Sequence, residues 1–254
     1  MDLSKWSPWY RSIVETFGFD IREDQKAADV LSELIAKKAL KLQNLKRKIK
    51  GKPVIVFGAG PSLDRNLREI VDGGLHKKYV IISANGATTA LLHTAKIVPD
   101  IIVTDLDGRI GDILKANREG AIVVVHAHGD NIEALKKYVP KIEGNILGST
   151  QVEPRINVYN FGGFTDGDRG AFLAEEMGSK RIVLAGMDLG FKVGKYSKPN
   201  LRKGSRASLN KRKKLEMAKR LLTWLSTWAH AEIVNVTVGG EKIIGIRDVT
   251  CDEL

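Results

Sequence analysis

Apolar positions along the chain fall into two rhythms. Over residues 22–50, Leu31, Leu34, Ile35, Leu42, Leu45 and Ile49 recur at spacings of three, four and seven, which places them on one helical face. This predicts a single long amphipathic helix. Lys37, Lys38, Lys41, Lys46 and Lys48 fall on the other side and read as its solvated face, with a binding surface as the alternative. From Pro53 onward, short β-rich runs alternate with helical stretches: VIVF at 54–57, YVII at 79–82, IIV at 101–103, AIVVV at 121–125 and RIVLA at 181–185. Strands apolar at nearly every position are expected where helices cover both faces of a sheet. The segments 86–96, 130–138 and 168–177 have the length of crossover helices. Beyond residue 188 the pattern loosens, then predicts a helix over 207–228 and a β-hairpin pairing 233–238 with 243–246 across Gly239 and Gly240. The expected fold class is α/β: a mostly parallel sheet with flanking helices, an N-terminal helical cap over 1–50 and an α/β domain over 51–254 that ends in a small β element.

Composition narrows the class. With 254 residues, 43% apolar and 28% charged, the chain reads as an ordinary globular protein with a sizeable core. Its one cysteine, Cys251, excludes an internal disulfide framework and a cysteine-based zinc site. No signal-peptide core and no unbroken apolar stretch of about 18 residues is present, so a cytoplasmic protein without a membrane span is expected. The net charge of +11 attracts anions but does not choose among nucleotide phosphates, nucleic acid and acidic lipid.

Candidate chemistry gathers just after the predicted strands, where ligands of open parallel sheets bind. After the first strand, Gly58, Gly60, Pro61 and Ser62 form a glycine-containing turn that suits a nucleotide phosphate at a helix N-terminus, or packing alone. After the third, Thr-Asp-Leu-Asp-Gly at 104–108 places Asp105 and Asp107 two positions apart. If the chain stays extended there, both carboxylates point to one site, and a divalent cation relieves their repulsion. Magnesium, which takes one or two carboxylates together with substrate phosphates and water, fits such a pair; a turn bonding its own amides is the alternative. Asn85 follows the second strand and Asp188 the later one.

His126 and His128 follow the fourth strand. They are expected to diverge, with one histidine hydrogen-bonding substrate and a two-histidine metal site as the lesser reading. Asp166, Asp168 and Arg169 open the helix over 168–177, where a carboxylate either caps the helix or contacts metal and triphosphate. Residues 189–215 hold ten lysines or arginines and no acid, a basic loop that either closes over phosphates or is simply solvated.

The order of these motifs is more specific than any one of them. FGAGPSLD, SANGATTALL, PDIIVTDLDG, VVVHAHGDN, TQVEP, FTDGDRGAFLAEEMG and IVLAGMDLG, spanning residues 54–196, resemble the archaeal 6-hydroxymethyl-7,8-dihydropterin pyrophosphokinase family. That family is related in fold to thiamin pyrophosphokinases, whose GDxDS and TDxxKA patterns look like 104–108 and 165–171 here. The resemblance implies transfer of diphosphate from ATP to a pterin hydroxymethyl group, release of AMP, and a place in tetrahydromethanopterin- or folate-type pterin biosynthesis.

The same resemblance gives Asp105, Asp107 and Asp166 catalytic roles, with Mg²⁺ on Asp105 and Asp107. The expected nucleotide contacts are Gly58, Gly60, Pro61, Ser62, Asp168 and Arg169, and Asn85, His126 and Asp188 are the rim residues proposed to meet the pterin, whose contacts spacing does not specify. Arg169 in place of lysine, Gly108 in place of serine and an added βα unit holding residues 126–130 weaken thiamin as substrate. Related domains occur in larger proteins that modify bacterial flagella, from which this chain is expected to differ by its length. Thiamin diphosphate formation and basic nucleic-acid binding are the alternative functions, and the long helix offers a surface for a homo-oligomer.

Overall fold

The computed structural model describes residues 1–199, 201–237 and 239–254. The chain begins with α1 (Leu3–Phe17), α2 (Ile21–Ile35) and α3 (Leu42–Ile49), followed by β1 (Pro53–Phe57), α4 (Leu63–Asp72), β2 (Val80–Ala84) and α5 (Asn85–Ala90). Next come β3 (Ile101–Thr104), α6 (Ile110–Arg118), β4 (Ile122–Ala127), α7 (Ile132–Tyr138), β5 (Ile146–Thr150), β6 (Val158–Tyr159) and α8 (Asp166–Glu176). The last part holds β7 (Arg181–Ala185), β8 (Lys192–Val193), β9 (Ser205–Arg206), α9 (Leu209–Ser226), β10 (Glu232–Asn235) and β11 (Arg247–Asp248).

Among the described residues, nine strands form one sheet in the order β11-β10-β7-β1-β2-β3-β4-β5-β6, every pair parallel. The apolar runs fill both faces. In β1, Val54 and Val56 enter the core shared with Leu31, Phe172 and Leu221, whereas Ile55 and Phe57 enter a second layer with Leu63, Leu67 and Leu91. Alternate residues of a strand face opposite sides, so an α/β sandwich needs both sets apolar. The chain runs outward from β1 to β6 and then returns to place β7 on the other side of β1. The carboxyl ends of these parallel strands share one rim, where open sheets of this kind bind their ligands.

Two expectations from the sequence are corrected. The helix expected over 22–50 is two helices, because the chain at 36–41 leaves the helix to pair with the sheet. Ala39 forms a parallel bridge with Ile146, and Leu40 N donates to Ile146 O at 2.7 Å. The apolar spacing survives the break because α2 and α3 bury the same face, with Leu31, Ile35, Leu45 and Ile49 all in the core that holds the sheet. Lys38, expected on a solvated face, instead donates to the carbonyls of Val139 and Ile142 at 2.6 and 2.9 Å.

The second correction concerns the C-terminal pair, which is not a hairpin. β10 and β11 are parallel, with Val234 opposite Arg247 and Asn235 opposite Asp248. The turn at Gly239 and Gly240 is used to cross the loop after β7, where Glu241 N donates to Asp188 O at 2.8 Å, before the chain returns in the same direction. The small antiparallel pair is β8 with β9, inside the basic tract. No helix among the described residues is long and apolar enough to cross a membrane.

Candidate functional site

The acidic pair sits at the end of β3 on a bend. The chain is not extended there, because Leu106 takes φ +67°, a left-handed conformation costly for a residue with a Cβ. The bend is held by Leu106 N donating to Thr104 Oγ1 at 2.9 Å and Asp107 N donating to Asp105 Oδ1 at 3.2 Å. It brings both carboxylates onto one amide: Asn85 Nδ2 donates to Asp105 Oδ1 at 3.3 Å and also to Asp107 Oδ1. Thr104 Oγ1 donates to Asn85 Oδ1 at 3.2 Å and so fixes that amide's orientation.

Desolvation by the cleft walls and then the charge of Asp105 push the Asp107 carboxyl up to about 6. Burial also pushes Asp105 upward, but hydrogen bonds from His128 and Asp107 outweigh it and hold the carboxyl well below the usual range. The pair therefore keeps one proton easily and two charges with difficulty. Asp166, at the start of α8, faces the pair. Burial followed by the Asp105 charge raises it well above an ordinary carboxylate, and its Oδ1 is sealed from solvent with no hydrogen-bond partner among the described residues.

These three carboxylates line a cleft of about 450 Å³ whose walls include Gly58, Gly60, Phe164, Arg169, Asp188, Lys198, Lys211 and Lys214. A second cavity of about 290 Å³, lined by Thr89, Arg109, Lys195 and Tyr196, shares Asn85, Gly86 and Lys198 with the first. The basic tract covers the cleft and is pinned at its edges: Lys195 pairs with Asp64 at 2.8 Å, and Arg109 donates to Pro199 O at 3.2 Å.

Several expected contacts are reassigned by the geometry. Asp168 serves as a cap, accepting from Phe164 N at 2.6 Å, Thr165 N at 2.7 Å and Thr165 Oγ1 at 2.5 Å. Both its oxygens are thereby engaged, and it holds its neighbours Asp166 and Arg169 in place instead of meeting a nucleotide. Ser62 gives its hydroxyl and its amide to Asp188 Oδ2, at 2.8 and 3.2 Å, so a carboxylate occupies the helix end expected to hold phosphate. Pro61, exposed and without an N–H to offer, lies outside the cleft lining.

Gly58 and Gly60 do line the cleft, but packing is what demands glycine there. A Cβ on Gly60 would fall 2.0 Å from Asp188 Oδ2, and one on Gly58 would fall 2.7 Å from Gly186 O. Asp188 lies on the cleft wall with its carboxyl raised by burial, and Asn85 acts chiefly through the acidic pair.

His126 lies inside β4 and is 1% exposed, with Nδ1 at 3.1 Å from Ser149 Oγ and Nε2 unpartnered among the described residues. Burial, then the Arg169 charge, hold it well below its usual pKa and so neutral, and it is not part of the cleft lining. The two histidines do not diverge. Residues two apart on an extended chain share a face, and the rings stack at 6.0 Å. His128 is the one that approaches the acids, with Nε2 3.8 Å from Asp105 Oδ2.

Among the described residues no three histidine, cysteine, aspartate or glutamate side chains close on one point as a metal cage. A hard cation drawing its remaining ligands from phosphate and water needs no such cage. Lys198, Lys211 and Lys214 were legible only as members of a basic tract, and Gln151, which contacts Arg169, stood in the TQVEP motif with no role assigned to it.

Residues 31–194 match the family described as 6-hydroxymethylpterin diphosphokinase MptE-like. A 6-hydroxymethyl-7,8-dihydropterin pyrophosphokinase of Methanothermobacter thermautotrophicus is 48% identical over 227 residues, 89% of this chain and 95% of the relative. Proteins of the same name from Pyrococcus furiosus and Methanocaldococcus jannaschii are 47% and 44% identical over 94% and 89% of this chain, and 100% and 96% of their own lengths. Among solved structures, a MAf glycosyltransferase from Magnetospirillum magneticum AMB-1 aligns with a TM-score of 0.47 at 20% identity, over 81% of this chain but only 34% of its own.

Proposed function

Since the chain belongs to the MptE-like family of 6-hydroxymethylpterin diphosphokinases, we propose that it transfers the diphosphate of ATP to the hydroxymethyl group of 6-hydroxymethyl-7,8-dihydropterin and releases AMP. The observation that carries this reading is the meeting of Asp105, Asp107 and Asp166 with Lys198, Lys211, Lys214 and Arg169 across one cleft at the carboxyl rim of the sheet. Acids in the cleft suit a cation, and bases lining the same cleft suit polyphosphate.

The acidic residues fit magnesium. Asp105 and Asp107 share a single amide partner and resist double ionisation, and Asp166, whose carboxyl feels the charge of both, lines the same cleft. Asp105 and Asp107 would hold the ion, with Asp166 adjacent. When bound, magnesium neutralises phosphate oxygens and orients the triphosphate.

The residues of the chain do the positioning. Asn85 fixes the acidic pair, the Asp168 cap fixes Asp166 and Arg169, and the basic tract supplies charge over the phosphates while limiting water. The pterin hydroxyl oxygen bonds to the β-phosphorus as the bond from β-phosphorus to the bridging oxygen breaks; that oxygen leaves with AMP, and the hydroxyl proton is lost. Alignment and charge stabilisation account for most of the rate in such transfers. The product ester carries a good leaving group, as assembly of tetrahydromethanopterin- or folate-type carriers requires.

The test offers the chain ATP, Mg²⁺ and the reduced pterin and follows both products. AMP and the pterin diphosphate should appear in equal amounts. ADP as the nucleotide product, or full turnover in chelator, would overturn the reading, as would preference for thiamin in direct competition.

A further inference from the structure

We propose that Lys214 is a catalytic residue of this cleft, its ammonium contacting nonbridging oxygens of the diphosphate in transfer. The inference rests on the diphosphate-transfer reading and deepens it, because nothing in the sequence singled Lys214 out from the nine other basic residues of its tract.

Lys214 stands on the inner side of α9, half-buried, on the cleft wall shared with Asp105, Asp166 and Arg169. Its ammonium lies 5.9 Å from the ring centres of both Phe19 and Phe164, rings that belong to an aromatic cluster with Phe17. Those rings restrict the side chain and favour its charged form. No carboxylate among the described residues forms an ion pair with it. Lys219 and Lys195 differ, pairing with Glu216 and Asp64 at 2.8 Å each, whereas Lys198 and Lys211 share with Lys214 both the cleft and the lack of an ion pair among the described residues.

A partly desolvated cation without a counter-charge is a liability unless an anion arrives. Burial, then the charges of Lys211 and Arg169, lower the affinity of Lys214 for its proton. Lys211, one turn earlier on α9, faces the same cleft.

The charge pattern complements a cation-bound polyphosphate, with carboxylates toward the cation and ammonium groups toward phosphate oxygens. The acids whose charge reaches Lys214 are Asp105 and Asp130, and Asp105 belongs to the acidic pair, so the oxygens facing Lys214 are those of the phosphoryl groups beside that pair, those that move. As the hydroxyl oxygen bonds to the β-phosphorus and the bridging oxygen departs with its electron pair on AMP, charge is redistributed over these oxygens. A fixed ammonium beside them lowers the barrier more than it strengthens ground-state binding.

The experiment compares Lys214→Met, Lys214→Arg and Lys213→Met, the last altering the exposed neighbour on α9. With thermal melts matching the parent, Lys214→Met should lower kcat by about 100-fold or more with KM for the pterin within about threefold, the loss expected of one fixed electrostatic donor. Lys214→Arg should recover part of the loss, and Lys213→Met should match the parent. Should the methionine variant not fold, Lys214→Gln is read in its place.

Retention of kcat within threefold, or an equal loss in Lys213→Met, would overturn the assignment. Binding of Mg²⁺ with an ATP analogue carrying methylene between its α- and β-phosphorus gives a separate readout, and Lys214→Met should weaken it. If the parent chain forms no pterin diphosphate but the analogue still binds through Lys214, diphosphate transfer to the pterin fails while the phosphate contact stands. Unchanged analogue affinity together with unchanged turnover removes Lys214.

Discussion

Arg169 Nη2 donates to Gln151 Oε1 at 3.3 Å, and Gln151 Nε2 in turn donates to Asp24 Oδ2 at 2.7 Å. Asp24 also accepts from Tyr10 Oη at 2.6 Å and from Gly129 N at 2.7 Å. Through one glutamine, the N-terminal helices are thereby connected to a cationic residue of the cleft. Gln151→Leu should leave Asp24 Oδ2 with Tyr10 Oη alone and strip the buried Arg169 Nη2 of its acceptor. A loss of about 1–3 kcal/mol in denaturant unfolding is expected from one buried unsatisfied group, together with a raised KM for ATP. Unchanged stability and kinetics would show that the network holds nothing in place.

Replacing both Asp105 and Asp107 by asparagine should abolish turnover and leave the fold intact. The two carboxylates repel across a shared amide, so their removal relieves strain in the free protein. Thermal melting should stay level or rise while Mn²⁺ binding, followed calorimetrically, disappears. A variant that still binds the ion with parent affinity would place the metal elsewhere.

The pH dependence of ion binding follows from the same pair. Asp107 is raised to about 6 by desolvation and by Asp105, so below that pH a bound proton must be expelled before the cation enters. Mn²⁺ affinity should fall about tenfold per pH unit below 6 and level off above it. The sign for stability is opposite. A carboxyl raised on folding favours the fold while both folded and unfolded forms are protonated. That contribution is lost between the ordinary carboxylate value and about 6, where the unfolded chain ionises first. Titrating unfolding of the ion-free chain against Asp107→Asn isolates it: the parent should lose stability relative to the variant across that window, and parallel curves would contradict the shift.

Asp168→Ala should act through structure. Phe164 N and Thr165 N would lose their acceptor at the start of α8, which costs about 1–2 kcal/mol for a lost helix cap. Because Asp166 and Arg169 sit on the freed turn, kcat should fall as well. Asp168→Asn, which keeps an acceptor oxygen, should recover much of the stability; equal damage from both variants would point to a charge role at this position.

Much of the fold was legible from local pattern. Apolar runs at both parities marked β1, β2, β3, β4 and β7 as strands buried on two faces, and the motifs behind them collected where a parallel sheet gathers its ligands. Asp105 and Asp107 could be named because two acids just after a buried strand suggest a shared cation, whereas Asp166, at a helix start where a cap is equally expected, was named through the resemblance. The resemblance to the pterin enzymes rested on the order of those motifs and agrees with the family match.

What required tertiary structure was every choice settled by a partner distant in the chain. The break between α2 and α3 has no helix breaker in its sequence; Ile146 provides the backbone bond that replaces the helical ones. Ser62 and Asp168 had their oxygen and amide chemistry taken by protein groups, one in the loop after β7 and one within its own cap. The parallel β11, the burial of His126 and the convergence of Lys214 on the acids depend likewise on which elements become neighbours. Periodicity records which side of an element is apolar, and short motifs record what a few adjacent groups can bind. Neither records which distant residue will fill the remaining hydrogen bond or leave a charge without a partner, because that is decided when the layers pack.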